Sequence, residues 1–476
     1  MTNSNTNLRF SEKLGYGLGD GASNFFFQVF NLFLLYYYTD VFGLSPAAVG
    51  TMFLVTKIVD TITDPMMGII ADRTQTRWGK FRPYLLWMAI PYGFCGYLMF
   101  ANPELSNSGK LIYAYVTYTL MMLAYTAINV PYSALMGVIS SSSIERTKVS
   151  SYRFFCAFLA GWAISTLVPT FKDSLGDGDE ALAFQILMGA FAVVSISMFW
   201  ICFATTKERV APMDQPSDLR ADFRALIANG PWLVLFVAAI FTLMSVAIRA
   251  GGTMYYFKYF VGSGDETVFW IFNETSVFLS LGTLGMLVGI TGTRWLVERF
   301  EKRNLLIVLS LLNAASFVAF FFVPPEAFWT MVVINVVGSV INGPTPALVW
   351  AMYADTADYG EWKSGRRTTG LVFSAVQFAQ KFGLAIGAAL SGYILAFYGF
   401  VANQDQSDEA LLGIRLMFTI FPALLSILAT IAVWFYRLDR ETLSEIEASL
   451  ARTNEASPPS ARHQADVSVA EVGGGE

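Results

Sequence analysis

The chain has little charge. Only 14% of its 476 residues are Asp, Glu, Lys or Arg, against about 25% in an ordinary soluble domain. A soluble chain of this length would divide into about two or three domains, each needing a polar coat. The available charges do not cover such a surface. Histidine is nearly missing: His463 is the single one, and it sits in a polar tail. Cysteine is scarce too. Cys95, Cys156 and Cys202 all lie in apolar runs, so they read as small core residues, with neither a disulfide framework nor metal-ligand spacing. A cleavable signal peptide is not expected either. Met1–Glu12 is polar and no small-residue cleavage site follows the first apolar run. These gaps exclude a secreted disulfide protein, a soluble enzyme and a structural metal site.

What is there is apolar. Apolar residues make up 55% of the chain, and mean hydropathy is +0.50. A membrane-crossing helix needs about 20 apolar residues, so twelve would use about 240. Apolar runs fall near 22–42, 48–70, 84–101, 111–138, 151–171, 183–204, 231–260, 270–292, 305–323, 328–352, 370–397 and 411–436. The longest polar gap, 205–230, divides them six and six. The expected organisation is a cytoplasmic N-terminus over 1–21, a six-helix bundle over 22–204 and a central cytoplasmic loop over 205–230. A second bundle over 231–436 and a cytoplasmic tail over 437–476 complete it. The tail opens as an amphipathic stretch with Leu443, Ile446 and Leu450, and its Ser/Pro/Ala/Gly end has a disordered composition.

Lys and Arg set the orientation. With both termini on one side, that side's loops and tails hold 23 of the 31 basic residues. The opposite loops are acidic, with Asp173, Asp177, Asp179, Glu180, Asp265, Glu266, Asp405, Asp408 and Glu409. Both termini are therefore expected in the cytoplasm. An internal repeat supports two related halves. Asn129-Val130-Pro131-Tyr132-Ser133-Ala134-Leu135 and Asn342-Gly343-Pro344-Thr345-Pro346-Ala347-Leu348 share the pattern N-x-P-x-x-A-L, 213 residues apart. Transporters built on such repeats hold their substrate near the bilayer midplane, between the repeats.

Charges inside a span are costly, about 2.5–3.5 kcal/mol each on insertion scales. The second run nevertheless carries Lys57, Asp60 and Asp64. On a helix, Asp60 and Asp64 lie about 40° apart and Lys57 about 60° from Asp60. Two carboxylates one turn apart repel unless a cation or proton sits between them. With Thr63 beside them, they suit a coupling cation, Na⁺ or H⁺. An ion pair that merely ties helices together is the plainer alternative. Asn24, Gln28 and Asn31 share one face of the first run. Tyr125, Thr126 and Asn129 share a face of the fourth, Gln377, Gln380 and Lys381 lie in the eleventh, and Arg153 opens the fifth. Amides, a ring and cations suit a polyhydroxylated ligand such as a sugar, although interhelical hydrogen bonding uses the same residue types. Asp72, Arg73 and Arg77, in the short loop after the second run with Lys80 and Arg82, are candidates for a cytoplasmic gate of charge pairs. Arg249 and Glu274 admit a gate, a substrate contact or a structural pair. Tyr36-Tyr37-Tyr38 reads as an interfacial belt.

Several segments then resemble a known family. Glu12-Lys13-Leu14-Gly15-Tyr16-Gly17-Leu18-Gly19-Asp20, Tyr37-Tyr38-Thr39-Asp40-Val41-Phe42-Gly43, Asp60-Thr61-Ile62-Thr63-Asp64-Pro65 and Arg77-Trp78-Gly79-Lys80-Phe81-Arg82-Pro83 are similar to the glycoside–pentoside–hexuronide:cation symporters. So are Asn129-Val130-Pro131-Tyr132, Ala354-Asp355 with Asp358-Tyr359-Gly360-Glu361, and Lys381-Phe382-Gly383. The resemblance covers about residues 10–445. It implies the major facilitator superfamily fold, an all-α membrane protein with twelve transmembrane helices in two pseudo-symmetric six-helix bundles. Asp60 and Asp64 fall on the family's cation-site carboxylates, with Thr63 and Thr126 at neighbouring ligand positions. Asn24 and Asn129 fall where melibiose permease, its best-known member, has two sugar-binding aspartates. Tyr125, Arg153 and Lys381 match positions around the sugar pocket. Ser133 stands where that permease has a tryptophan, so the pattern is closer to xyloside and glucuronide permeases. Fewer negative charges beside Arg153 and Lys381 would tolerate an acidic sugar.

The expected function is cation-coupled sugar or glycoside symport by alternating access, in a bacterial cytoplasmic membrane. The partners are a sugar, the coupling ion and lipid. No cofactor, no nucleic acid and a monomeric state are expected. An uncoupled facilitator, an exporter and a transport-inactive sugar sensor are the alternatives. No nucleophile–base pair or phosphate loop points to an enzyme.

Overall fold

The computed structural model describes residues 8–140, 142–172, 175–209, 219–262, 267–269, 271–365 and 369–456. It is built almost wholly of helices. The first half holds α1 (Phe10–Leu32), α2 (Pro46–Arg73), α3 (Ala89–Leu98), α4 (Asn107–Val138), α5 (Ser143–Phe171) and α6 (Glu180–Thr205). The second holds α7 (Gly230–Tyr255), α8 (Glu274–Thr291), α9 (Lys302–Phe321), α10 (Phe328–Asn342), α11 (Thr369–Phe397) and α12 (Ile420–Trp434). Among the described residues, nine helices are long and apolar enough to cross a membrane, and these nine contain α4 to α12. The first three are not among them: α2 carries Lys57, Asp60 and Asp64, and α3 has ten residues. Large apolar side chains such as Ile62, Ile112, Val193, Val288 and Phe397 stay exposed on the outer helix faces, as an apolar solvent requires.

Helix ends follow local chemistry. Ser106, Asp179, Asn229, Asn273 and Ser407 each accept a backbone N–H at a helix start, which satisfies an orphan donor. The two Asn-x-Pro repeats behave differently. Pro131 is carried inside a continuous α4, whereas α10 stops at Asn342 and a new helix runs from Thr345 to Ser364. Gly343, Pro344 and Pro346 explain the break, since two prolines in three residues remove two backbone donors. Two boundaries differ from expectation. The first helix starts at Phe10 instead of near 22, and the central loop contains a helix over Leu219–Ile227. The tail also begins with a helix, Arg440–Ala456, whose Ile446 is buried; the expected disordered end lies outside the described residues.

The packing is repeated. In the first half α1 meets α5 and α6, α2 meets α4, and α3 meets α4 and α6. In the second α7 meets α11 and α12, α8 meets α10, and α9 meets α10 and α12. Across the halves α2 packs on α11 and α5 on α8. Glycine sets the α2–α11 approach: a Cβ on Gly50 would lie 2.7 Å from the Ala389 carbonyl, and one on Gly392 would collide with the Pro46 carbonyl.

The halves meet tightly at the end opposite the termini. Lys258 Nζ lies 3.0 Å from Asp40 Oδ1 and 2.8 Å from Asn403 Oδ1, and Tyr259 donates to Asp40. The Thr39 and Tyr255 hydroxyls are 2.6 Å apart. Asn273 Nδ2 donates to the Pro169 carbonyl at 2.6 Å, and the Thr170 and Ser276 hydroxyls are 2.7 Å apart. Tyr36, Tyr37 and Tyr38 are 0% exposed in this region, so they form core and not an interfacial belt. Their rings pack on Tyr255, Phe100 and Phe42, which buries area that a belt would leave to lipid.

Candidate functional site

Lys57, Asp60 and Asp64 of α2 share a face, as the helical spacing requires. Lys57 Nζ is 2.7 Å from Asp60 Oδ2, and the Asp60 side chain is fully buried. Thr126 on α4 brings one hydroxyl to both carboxylates, 2.9 Å from Asp60 Oδ1 and 2.9 Å from Asp64 Oδ1. Lys381 on α11 reaches across from the second half. It pairs with Asp64 and stands 3.5 Å from Asp60 Oδ2. Two carboxylates and two ammonium groups therefore meet around one hydroxyl. That hydroxyl owns a single proton and can donate to one carboxylate at a time. The other short O···O contact needs a proton or a cation to be favourable. Thr63 does not join in: its hydroxyl bonds back to the Asp60 carbonyl at 3.3 Å.

A further carboxylate, Asp20, stands on α1 one turn before Asn24 and pairs with Arg153. Arg153 Nε on α5 is 3.1 Å from Asp20 Oδ2 on α1, and its guanidinium lies 5.6 Å from the Tyr132 ring centroid. Asn24 Nδ2 donates to the Asp20 carbonyl at 2.9 Å, and Asn129 Nδ2 to the Tyr125 carbonyl at 3.1 Å. Ser23 donates to Asn129 Oδ1 at 2.7 Å. Tyr125 lies beside Tyr92 and Phe27. Gln28 Nε2 lies over Gly161, and Asn31 Nδ2 donates to the Phe27 carbonyl at 2.8 Å. Gln377 is exposed on α11, one turn before Lys381. Arg153 and Lys381 are both ion-paired, so neither is the free cation that the sequence offers to an acidic sugar. Asp20 carries a sequence signal: an acidic residue in a Gly- and Phe-rich helix, one turn before Asn24.

Among the described residues no ion pair holds Asp72, Arg73 or Arg77 in this conformation, and the first two close α2 instead of lying in the loop after it. Asp72, Arg73 and Arg77 are exposed, and Arg77 lies over the Trp78 ring. The loop is held instead by Glu208, just beyond α6. Its carboxylate accepts from the backbone N–H groups of Lys80, Phe81 and Arg82 at 2.8, 2.8 and 2.9 Å. A second carboxylate anchors the same end of the molecule. Glu145, at the start of α5, accepts from Lys13 at 2.8 Å, from Lys148 at 2.7 Å and from the Leu8 N–H at 3.0 Å. The hydrogen bonds from Lys13 and Lys148 pull its carboxyl down to about 2.

A cavity of about 530 Å³ lies inside the second half, among α7, α8, α9, α10 and α12. The first half fills its corresponding interior with rings: Phe26, Tyr125 and Phe199 each pack against Tyr92 there. The second half lines its interior with Asn313, Ser316, Asn335, Ser339 and Asn342 instead. Gln380, next to Lys381, and Leu32 of α1 also face this space, which therefore borders both the cation cluster and the first half. The sequence reading missed it: Asn313 and Ser316 on α9, and Asn335, Ser339 and Asn342 on α10, share helix faces by spacing, but they carry no charge to single them out in an apolar run. Among the described residues, no group of three or more His, Cys, Asp or Glu side chains could hold a metal.

Comparison with known proteins agrees with this architecture. Residues 15–440 match the family of MFS/sugar transport proteins. The inner membrane symporter YicJ of Escherichia coli (strain K12) is 38% identical, over 94% of this chain and 95% of its own. The isoprimeverose transporter of Lactiplantibacillus pentosus is 35% identical, over 93% of this chain and 92% of its own. Among solved structures, the nucleoside transporter NupG superposes with a TM-score of 0.60 at 14% identity, covering 90% of this chain and 100% of that one; this likeness bears on fold alone. These relatives are transporters, so this protein is a transporter and not an enzyme. The chain belongs to the sugar-transport family of the major facilitator superfamily, in its glycoside–pentoside–hexuronide:cation symporter branch.

Proposed function

We propose that this protein carries a sugar or glycoside across the bacterial cytoplasmic membrane by cation-coupled symport. Twelve spans form two six-helix halves, with both termini in the cytoplasm. The observation that carries the reading is the Thr126 hydroxyl, set 2.9 Å from both Asp60 and Asp64, with Lys381 of the other half on the same carboxylates. Na⁺ or H⁺ entering between the carboxylates competes with the Lys381 ammonium. Its arrival releases a bond between the halves, which links ion occupancy to their rocking. The sugar binds beside this cluster, and the ion and the sugar raise each other's affinity by the same factor. Asp20, Asn24, Tyr125, Asn129 and Arg153 supply hydrogen-bonding and ring surfaces from the first half. Gln28, Asn31 and Gln377 extend the polar lining, with Thr63 near the ion path. Asp72, Arg73 and Arg77 close the cytoplasmic side in the opposite state. The tight contacts opposite the termini then make this conformation the one closed to the outside. Relatives named as symporters and as an isoprimeverose transporter support the substrate class.

The test is uptake of labelled glycosides, pentosides and uronides into membrane vesicles at fixed pH, with and without a Na⁺ gradient. Accumulation above equilibrium that follows Na⁺ establishes Na⁺ symport. Accumulation that ignores Na⁺ and collapses with a protonophore makes the ion H⁺. Absence of uphill accumulation for every sugar, under either gradient, contradicts the reading.

A further inference from the structure

Each cation near the first-half polar group or the α2 carboxylates has a carboxylate partner: Lys57 has Asp60, Lys381 has Asp64 and Arg153 has Asp20. Arg249 on α7 differs. Among the described residues it is the one charged side chain lining the second-half cavity, and no carboxylate pairs with it. Three rings surround its guanidinium, with centroids 4.4 Å away for Phe317, 4.7 Å for Phe320 and 4.0 Å for Phe418. One hydrogen bond, from Nη1 to the Phe418 carbonyl at 2.6 Å, fixes its direction. Rings and a carbonyl hold the group in place but supply no negative charge. A guanidinium has five N–H donors in a planar fork, so donors remain for a ligand. A lone cation inside a span is expensive to keep, and an anion arriving through the cavity would remove that cost.

The walls fit the rest of such a ligand. Among the described residues, Asn313 and Gln380 have no side-chain hydrogen bond, and Asn335 uses only its NH₂, donating to the Phe278 carbonyl at 2.9 Å. These amides both donate and accept, which is what sugar hydroxyls need. The volume, about 530 Å³, falls within the range of about 300–1,000 Å³ usual for small-molecule sites. We infer that Arg249 binds the acid group of an anionic sugar, a carboxylate on the ring, while Asn313, Asn335 and Gln380 bind its hydroxyls. The planar fork matches the two oxygens of a carboxylate. This rests on the proposed sugar-transport function and names the substrate class within it. The second half, and not Arg153 or Lys381, then selects for charge.

Equilibrium binding to the purified full-length protein tests it, with pairs of methyl glycosides that differ only at C6. Methyl glucuronide is set against methyl glucoside, and methyl galacturonide against methyl galactoside. At least one acid is expected to bind about tenfold or more tightly than its neutral twin, the scale of a hydrogen bond to a charged group. Arg249→Gln should erase that gap, and Arg249→Lys should keep part of it. Neutral twins binding as tightly as their acids in the wild type would overturn the inference. A gap that survives Arg249→Gln, or no binding by either acid, would do the same. The wild-type comparison decides even if Arg249→Gln does not fold. Because the readout is binding, acid preference without ion-driven uptake would contradict symport and leave the role of Arg249 standing.

Discussion

Thr126 shows how one side chain can carry the chemistry of two others. Its hydroxyl touches both carboxylates of α2, yet it has one proton to give. Thr126→Val keeps the shape and removes the oxygen. A hydrogen bond to a charged group is worth about 1.5–3 kcal/mol, so the variant should bind the coupling ion roughly tenfold to hundredfold more weakly. The ion dependence of sugar uptake checks this, with half-saturation moving to higher ion concentration. An unchanged ion dependence would remove Thr126 from the site. Much at this scale is legible in the sequence. Three charges in eight residues of an apolar run demand a reason, and helical geometry puts them on one face. Asp20, Arg249 and Glu208 are harder to read, because each acquires its role from a helix or loop far away in the chain. The partners of Arg153 and Lys381 are hidden in the sequence for the same reason: Asp20 and Asp64 sit on other helices.

Helices are joined at their ends by carboxylates as much as by apolar contact. Glu145 holds the N-terminus of α1 against the start of α5 through Lys13 and the Leu8 N–H. The hydrogen bonds from Lys13 and Lys148 lower its carboxyl to about 2, whereas an unfolded glutamate titrates at about 4.3. A lowered folded value stabilises the folded state above the unfolded value, and that stability fades as pH falls toward the folded one. The wild type should therefore melt above Glu145→Gln throughout the neutral range. The difference should shrink below about pH 4, when the unfolded chain takes up the proton. Thermal unfolding of both proteins against pH measures it, and a difference that grows on acidification would contradict the account. The sequence shows most elements well, since apolar length locates a spanning helix. It does not show that Gly343-Pro344-Thr345-Pro346 breaks a helix while Pro131 does not. The added proline, Pro346, and the glycine, Gly343, read as a lost donor and lost rigidity, set the second copy of the repeat apart from the first.

At the scale of the whole molecule, two related helix sets are joined firmly at one end, with Lys381 crossing from one set to the carboxylates of the other. The repeated packing was foreshadowed by the recurring Asn-x-Pro motif and the central polar gap. The asymmetry was not. Aromatic rings fill one interior and a polar cavity occupies the other, a difference carried by uncharged residues on separate helices. The account makes the α2 carboxylates the link between ion and sugar. Asp64→Asn removes one negative charge and the pairing partner of Lys381, and it spares the sugar-facing groups. The decisive measurement compares wild type and Asp64→Asn in vesicles for two activities with one labelled sugar: uphill accumulation under an ion gradient, and exchange against unlabelled sugar without one. The account predicts that the variant loses accumulation and keeps exchange. A variant that accumulates sugar as well as the wild type would contradict it.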